Sequence, residues 1–475
     1  MRKQAYNPYM PSFEYIPDGE PHIVGDRVYV YGSHDIFNGT TFCLGDYVCY
    51  SASIDDLANW RFEGVIFERD QDPFARGPRV INGLAAPDMI QGDDGRFYLF
   101  YFVGGTKRIS VAVCDTPAGK YKFYGYVKYA DGVDIGMKGE PYQFDPGVFR
   151  DDDGRVYLYT GFSLESNPFM LQGSKPTKKG PMVFELDSSD MLTVKEGPNY
   201  IGLECSEHPF LEASSMRKFD GTYYFVYSSK LSHELCYATS DNPTSGFKYQ
   251  GTLVSNGDIG IGATIDVHHA KNDTGNTHGS LIKIKDKYYV FYHRHSNRKQ
   301  SSRQACAEEI RFENGKFYQA EMTSCGLNGK PLEGVGTYPS YICCNLHGKD
   351  GTRFLSMIKY PKRNSPYLTQ DGGDRESGKD QYITNFCDGS IAAYKYFDTD
   401  ETKKITVLLS GTAKGKLIVT DRDDGTGKIL SEIEVNLNHR LKMISAKFEG
   451  GEKNQPLYFV YKGAGAFNFY SFKLE

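Results

Sequence analysis

The stretch PFLEASSMRKFDGTYYFVY, residues 209–227, sets Glu212 among apolar and small residues. A short alternating segment follows, then a turn signal at Asp220 and Gly221, then the aromatic run YYFVY. This order predicts a β-hairpin whose first strand begins at Glu212. A carboxylate flanked by Phe210, Leu211 and Ala213 is poorly solvated, and poor solvation raises its pKa by disfavouring the charged form. A raised carboxyl suits a general acid working near neutral pH. Taken alone, the stretch is equally compatible with a surface glutamate at a strand entrance.

The aromatic run recurs. VYVY at 28–31, FYLFY at 97–101, VYLY at 156–159 and YYVFY at 288–292 are each preceded by a turn signal, DDDG at 151–154 among them. Because the triple-Asp run occupies the turn position of the other copies, it reads as a hairpin turn and not a calcium loop. Tyr29, Tyr98, Tyr157, Tyr224 and Tyr289 stand roughly 60 to 70 residues apart, room for a four-stranded sheet with its loops. Five such sheets arranged radially give an all-β fold, a five-bladed β-propeller over 1–325. The residues expected where each innermost strand opens on the central channel are Asp18, Asp88, Asp145, Glu212 and His278. Four acids and a histidine aimed at one axis repel and desolvate one another, a cost that points to function.

Beyond Thr323 the pattern changes. Residues 345–380 are polar and rich in Gly, Pro and Asp. Six short alternating strands follow, SIAAYKYF, KKITVLLSG, GKLIVTD, SEIEVNL, PLYFVYKG and FNFYSFKLE, so 326–475 read as a linker and a β-sandwich. YPSYICCNL at 338–346 is either its first strand or a brace against the propeller.

The bulk numbers narrow the function. The chain has 475 residues, 36 Tyr, 30 Phe, 51 Gly and a formal net charge of −5. That charge leaves no basic field for nucleic acid or an anionic membrane surface. No apolar run approaches the roughly 20 residues of a spanning helix. The N-terminus shows two basic residues with no apolar stretch behind them, so a cytoplasmic protein is expected, or a secreted one if a leader has been removed. Ten cysteines lie scattered, and Cys49, Cys114, Cys236 and Cys306 fall in apolar strand-like runs as reduced small hydrophobes.

Over about residues 7–322 these motifs resemble glycoside hydrolase family 43, the inverting five-bladed arabinofuranosidases, xylosidases and arabinanases. The resemblance implies that Asp18 is the general base and Glu212 the general acid. Asp145, in a DPxxFxDDxGxxYL context, would be the carboxylate that tunes and orients the acid. His278 in the HGS step would contact sugar or a channel cation, and Arg303 in SSRQACAEEIRF would reach the sugar. Where the family has Asp-Pro after the base, this chain has Asp18-Gly19, and Glu20 becomes a rival base. Asp88 is either a substrate contact or a strand-start cap, and Arg303 could instead neutralise Glu308. Trp60 reads as a blade-packing aromatic. The C-terminal region more loosely resembles a family 6 carbohydrate-binding module.

Together these imply an exo-acting, inverting glycosidase of plant cell-wall oligosaccharides. An α-L-arabinofuranosidase is the leading expectation, with β-xylosidase or arabinanase action as alternatives. No catalytic cofactor is needed, and one structural Ca²⁺ in the channel is allowed. An inverting enzyme needs its two carboxyls about 6.5–9.5 Å apart, a gap suited to the non-adjacent blades one and four. Glu204-Cys205 imitates the acid step of the retaining invertase-like propellers, but their Asn-Asp-Pro-Asn-Gly motif is missing. A non-catalytic propeller lectin would have no use for three aligned carboxylates.

Overall fold

The computed structural model describes residues 3–76, 83–137, 139–163, 171, 174–177, 180–203, 205, 207–231, 234–355, 364–374, 381–423 and 425–475. Glu204 and parts of the polar stretch, 356–363 and 375–380, lie outside them.

Five antiparallel sheets follow one another along the chain. Blade one is Glu20–Val24, Arg27–Tyr31, Tyr47–Ser53 and Asp56–Phe67, and blade two is Leu84–Gln91, Phe97–Val103, Ile109–Cys114 and Lys122–Tyr126. Blade three is Gly147–Arg150, Val156–Thr160, Met182–Leu186 and Val194–Tyr200. Blade four is Phe210–Phe219, Thr222–Ser229, Leu235–Ser240 and Lys248–Val254. Blade five has three strands, Ser280–Ile284, Lys287–Ser296 and Lys299–Glu309, one fewer than expected; its continuation, Phe312–Glu313 with Lys316–Phe317, is a separate small hairpin. Each blade's first strand packs on the first strands of its neighbours, and that of blade five meets that of blade one, closing a five-bladed propeller.

The aromatic runs form the second strand of every blade, where their rings fill the space between blades. Tyr159, Phe225 and Tyr227, for example, share one buried cluster between blades three and four. Such rings bring large apolar area to a core that strands alone would leave thin. Trp60 is a packing aromatic, 4.7 Å from Tyr9 and 6.3 Å from Phe291. The triple-Asp run is a hairpin turn, with Lys218 Nζ 2.7 Å from Asp151 Oδ1. The N-terminal segment is tied to blade five through Asn7, whose side chain donates to Glu308 Oε1 at 2.7 Å and accepts from Ala307 N at 3.0 Å.

The C-terminal strands make one ten-stranded sheet that curls on itself, with a correction to the expected six short strands. Lys404–Thr420 is a single strand of 17 residues, and Gln455–Leu474 a single strand of 20. Their glycines, Gly411 (φ 140°) and Gly465 (φ 79°), fall where the two long strands bend together, not where strands end. Cβ atoms at these sites would meet the opposite strand's backbone at 2.7 and 2.0 Å, so glycine permits the bend while the ladder continues. One half of the long pair is flanked by Ile391–Asp398 and Ile429–Asn438, the other by Tyr382–Cys387 and Lys442–Lys447. Phe386, Phe459, Phe469 and Phe472 fill the interior.

Residues 338–346 serve as both strand and brace. Gly336–Pro339 pairs with the last strand, while the carbonyls of Tyr341 and Cys343 each accept from the buried Arg294 of blade five at 2.7 Å. Lys395 adds a second tie, 2.7 Å from Glu321 and 3.3 Å from the buried Asp258.

Candidate active site

The central channel has two levels, and they separate Asp18 from Asp88. Opposite the residue two places beyond each reference tyrosine stand Glu20, Asp88, Gly147, Ser215 and Ser280, paired with Tyr31, Phe100, Tyr159, Val226 and Phe291. These five are equivalent and form the lower ring. Two residues earlier in each blade come Asp18, Ala86, Asp145, Ala213 and His278, the upper ring. Asp88 is therefore the counterpart of Glu20 and not of Asp18. A slip of two preserves the face of a strand, so alternation could not detect it, yet it moves a side chain roughly 7 Å along the channel.

The upper ring is held by unusual backbone. Asp18 (φ 59°), Ala86 (φ 44°), Asp145 (φ 44°) and Ala213 (φ 66°) all occupy the left-handed region, which non-glycine residues adopt at a cost of about 1–3 kcal/mol. In blade four this coincides with irregular pairing between Phe210 and Ser215, and it turns Glu212 toward the axis. The hairpin's first strand begins at Phe210, so Glu212 is its third residue instead of its first. Gly279, beside His278, has no alternative: a Cβ there would lie 1.8 Å from the carbonyl oxygen of Phe291.

Asp18, Asp145, Glu212, His278 and Arg303 converge on one cavity of about 370 Å³. Phe42, Phe144, Phe162 and Leu211 give it apolar walls. Burial raises Glu212 to about 7, with the Asp18 charge adding and Arg303 opposing. Asp145 is raised as well, by burial first and then by the charges of Glu212 and Asp18. The repulsion is mutual, so the two carboxyls hold a proton between them at a pH where isolated acids have lost theirs. Ala213 N donates to Asp145 Oδ2 at 3.2 Å, a bond that favours charge on Asp145 and partly offsets that rise.

Asp18 has a different environment. Arg303 Nη1 donates to its Oδ1 at 2.9 Å, and its backbone N donates to His293 Nδ1 at 3.3 Å. His293 Nε2 lies 2.8 Å from the carbonyl of Asn276, so the ring carries its proton there and accepts at Nδ1. Arg303 is fully buried and gripped by Asp35, with Nε and Nη2 donating to the two carboxylate oxygens at 2.8 and 3.0 Å. Glu308 is satisfied elsewhere, by Asn7, Tyr292 and Thr323, so Arg303 does not neutralise it. His278 stands between the acids, Nδ1 being 3.6 Å from Asp145 and 4.0 Å from Asp18, and burial lowers its pKa, keeping the imidazole neutral.

Asp88 does not line the cavity. It is fully buried and its oxygens accept from Met89 N and Val148 N, both at 2.8 Å, with His22 Nε2 2.7 Å away. Its expected substrate contact gives way to backbone anchoring one level down. Glu20 shares that level: Arg217 and Ser215 hold its Oε2 at 2.6 and 3.1 Å.

Sequence reasoning missed Asp35, Asn276, Gln300 and Phe354. Phe354 lies in the polar GTRF segment beyond the blades, yet it lines the cavity. It is seated by Leu355 N donating to Thr274 O and by Gln300 Nε2 donating to Leu355 O, both at 2.7 Å. The segment after the propeller thus supplies part of the pocket wall.

A carboxyl raised to about 7 and an ion-paired carboxylate facing one cavity on a propeller are the equipment of a glycoside hydrolase. The sequence pattern of glycosyl hydrolases family 43 matches residues 15–317, and the chain belongs to that family. It is 44% identical over 479 residues to a xylosidase/arabinosidase of Thermoclostridium stercorarium, covering 100% of this chain and 99% of that one. A β-xylosidase/α-arabinofuranosidase from a compost microbial metagenome, solved with xylotriose, superposes with TM-score 0.53 at 27% identity over 67% of this chain and 98% of its own. An arabinoxylan arabinofuranohydrolase of Bacillus subtilis, solved with cellotetraose, shares the fold across both regions, with TM-score 0.52 at 20% identity over 99% and 97% of the two chains.

Proposed function

We propose that the enzyme removes terminal α-L-arabinofuranose, and also β-D-xylose, from plant cell-wall oligosaccharides with inversion at the anomeric carbon. Glu212 donates its proton to the glycosidic oxygen as the bond breaks. Asp18 takes a proton from a water attacking the opposite face, and Arg303 holds Asp18 in line. The products are the free sugar and the shortened oligosaccharide; Glu212 ends ionised, Asp18 ends protonated, and exchange with solvent resets both.

The observation that carries this reading is the pairing of a carboxyl raised to about 7 with an ion-paired carboxylate in one cavity. About 370 Å³ lies at the small end of ligand sites and suits a chain end better than a chain interior. The xylosidase/arabinosidase names of the relatives support the sugar assignment, because the two pentoses offer similar hydroxyl patterns to one pocket. On a panel of nitrophenyl glycosides, the α-L-arabinofuranoside and the β-D-xylopyranoside should be cleaved and hexosides left intact. Binding of oligosaccharide with no sugar released would mean a lectin.

Asp145 acts in this scheme through Glu212. Asp145→Asn removes a charge that keeps the acid protonated, so the basic limb of the pH–rate profile should move to lower pH, by about one unit for every 1.4 kcal/mol of repulsion lost. Activity at neutral pH falls and partly returns on acidification. An unmoved limb at the original rate would make Asp145 a structural residue.

A channel calcium finds a poor donor set. Glu20, His22 and Asp88 bring donor atoms within 4.8 Å of one another, but Arg217 already places a positive charge 2.6 Å from Glu20. Calcium takes 6–8 oxygens, and of these two carboxylates only Glu20 Oε1 lacks a hydrogen bond. In this reading Arg217 supplies the channel's cation, and His278 serves the sugar site.

A further inference from the structure

Blade four carries a second cluster of ligating side chains, apart from the cavity around Glu212. His208 precedes the blade's first strand, Glu234 precedes its third, and Cys236 is the second residue of that third strand. Pairing of Phe210 with Ser229, and of Ser228 with Leu235, brings them to the end of the blade where Glu212 opens on the channel. His208 Nδ1 lies 3.2 Å from Glu234 Oε2 and 3.8 Å from Cys236 Sγ. One ligand atom from each of the three falls within 4.8 Å of the other two.

Those separations match a metal. Around tetrahedral zinc, with bonds of about 2.0–2.2 Å to nitrogen or oxygen and about 2.3 Å to sulfur, N···O and N···S distances come to roughly 3.4 and 3.6 Å. The supporting shell is also present. The His208 ring stacks on Tyr249, with centroids 4.8 Å apart and planes 14° apart, and Thr252 Oγ1 donates to Glu234 Oε2 at 3.4 Å. The backbone at His208 is pinned by Tyr227 Oη on its carbonyl at 2.8 Å and by Cys205 Sγ, 3.2 Å from its N. Glu234 and Cys236 are buried, while His208 and Glu234 border a surface cavity of about 630 Å³ that gives an ion a route in. A thiol in the set disfavours calcium and magnesium, which take oxygen ligands, and favours a borderline-soft ion.

We propose that His208, Glu234 and Cys236 bind one divalent cation of the zinc class, with water in the fourth position. On binding, the Cys236 thiol gives its proton to solvent and ligates as thiolate. The ion would clamp the segment leading into Phe210 and Glu212 to the blade's third strand, a bracing role separate from the proton transfers.

Cobalt added to the metal-stripped full-length protein tests this. The expected result is one equivalent bound, with a near-ultraviolet thiolate-to-cobalt charge-transfer band and the visible bands of a tetrahedral site, all abolished by one equivalent of zinc. Cys236→Ser should lose the charge-transfer band, and His208→Gln should weaken zinc binding by about tenfold or more. No charge-transfer band in folded protein, or a band that persists in Cys236→Ser, overturns the proposal. Should Cys236→Ser fail to fold, unchanged zinc affinity in His208→Gln overturns it equally.

Discussion

Asp18→Asn is expected to lower kcat/KM about 10²–10⁴-fold on natural oligosaccharides and aryl glycosides alike, the range a lost general base commands. An amide cannot take the proton of the attacking water, and no leaving group, however good, restores that step. The fold should survive, because Asp35 continues to hold Arg303 through two hydrogen bonds of 2.8 and 3.0 Å. The comparison that gives the result meaning is Glu20→Gln. Glu20 lies on the lower ring, its Oε2 engaged by Arg217 and Ser215, and it is absent from the cavity wall. Glu20→Gln should keep its rate within about tenfold, as a substitution outside the proton-transfer chain. Kinetics showing near-full activity in Asp18→Asn and collapse in Glu20→Gln would move the base to Glu20.

Glu212→Gln should divide substrates by leaving group. Natural oligosaccharides depart as poorly stabilised alkoxides and need the proton, so their hydrolysis should fall by about 10²–10⁴-fold. Aryl glycosides with acidic phenols leave almost unaided and should lose far less. The pH dependence supplies a second sign. Glu212 works protonated and is raised to about 7, so wild-type activity should fall as pH rises through that value. The variant, tested on a good leaving group, should lack that basic limb. Equal losses on both substrate types would remove Glu212 from the acid's role.

Much of this site could be read from sequence because its parts interrupt strong patterns. Glu212 stands out in an apolar strand, and Asp145 is marked by the strand and turn that follow it. The five aromatic runs supplied the blade number. What failed, failed for physical reasons. Asp88 was aligned with Asp18 because a strand repeats every two residues, and only the pairing of Asp88 with Phe100 and Glu20 with Tyr31 reveals the slip. The glycines near 411 and 465 looked like strand ends because a bend and a break need the same backbone freedom. Asp35 had no local signal: its importance rests on Arg303, 268 residues away. Phe354 was hidden in a polar stretch that read as linker, and only the packing of that stretch on Thr274 and Gln300 brings it to the pocket.

In the proposed mechanism Glu212 of blade four and Asp18 of blade one work on opposite faces of one sugar. Proton NMR of the first-formed product tests it most directly, recorded before mutarotation scrambles the anomers. An α-L-arabinofuranoside should release β-L-arabinofuranose first, and a β-D-xyloside should release α-D-xylopyranose. Release of the sugar in its original configuration would require a covalent intermediate on one carboxylate, and that result would contradict the assignment of Asp18 as the base.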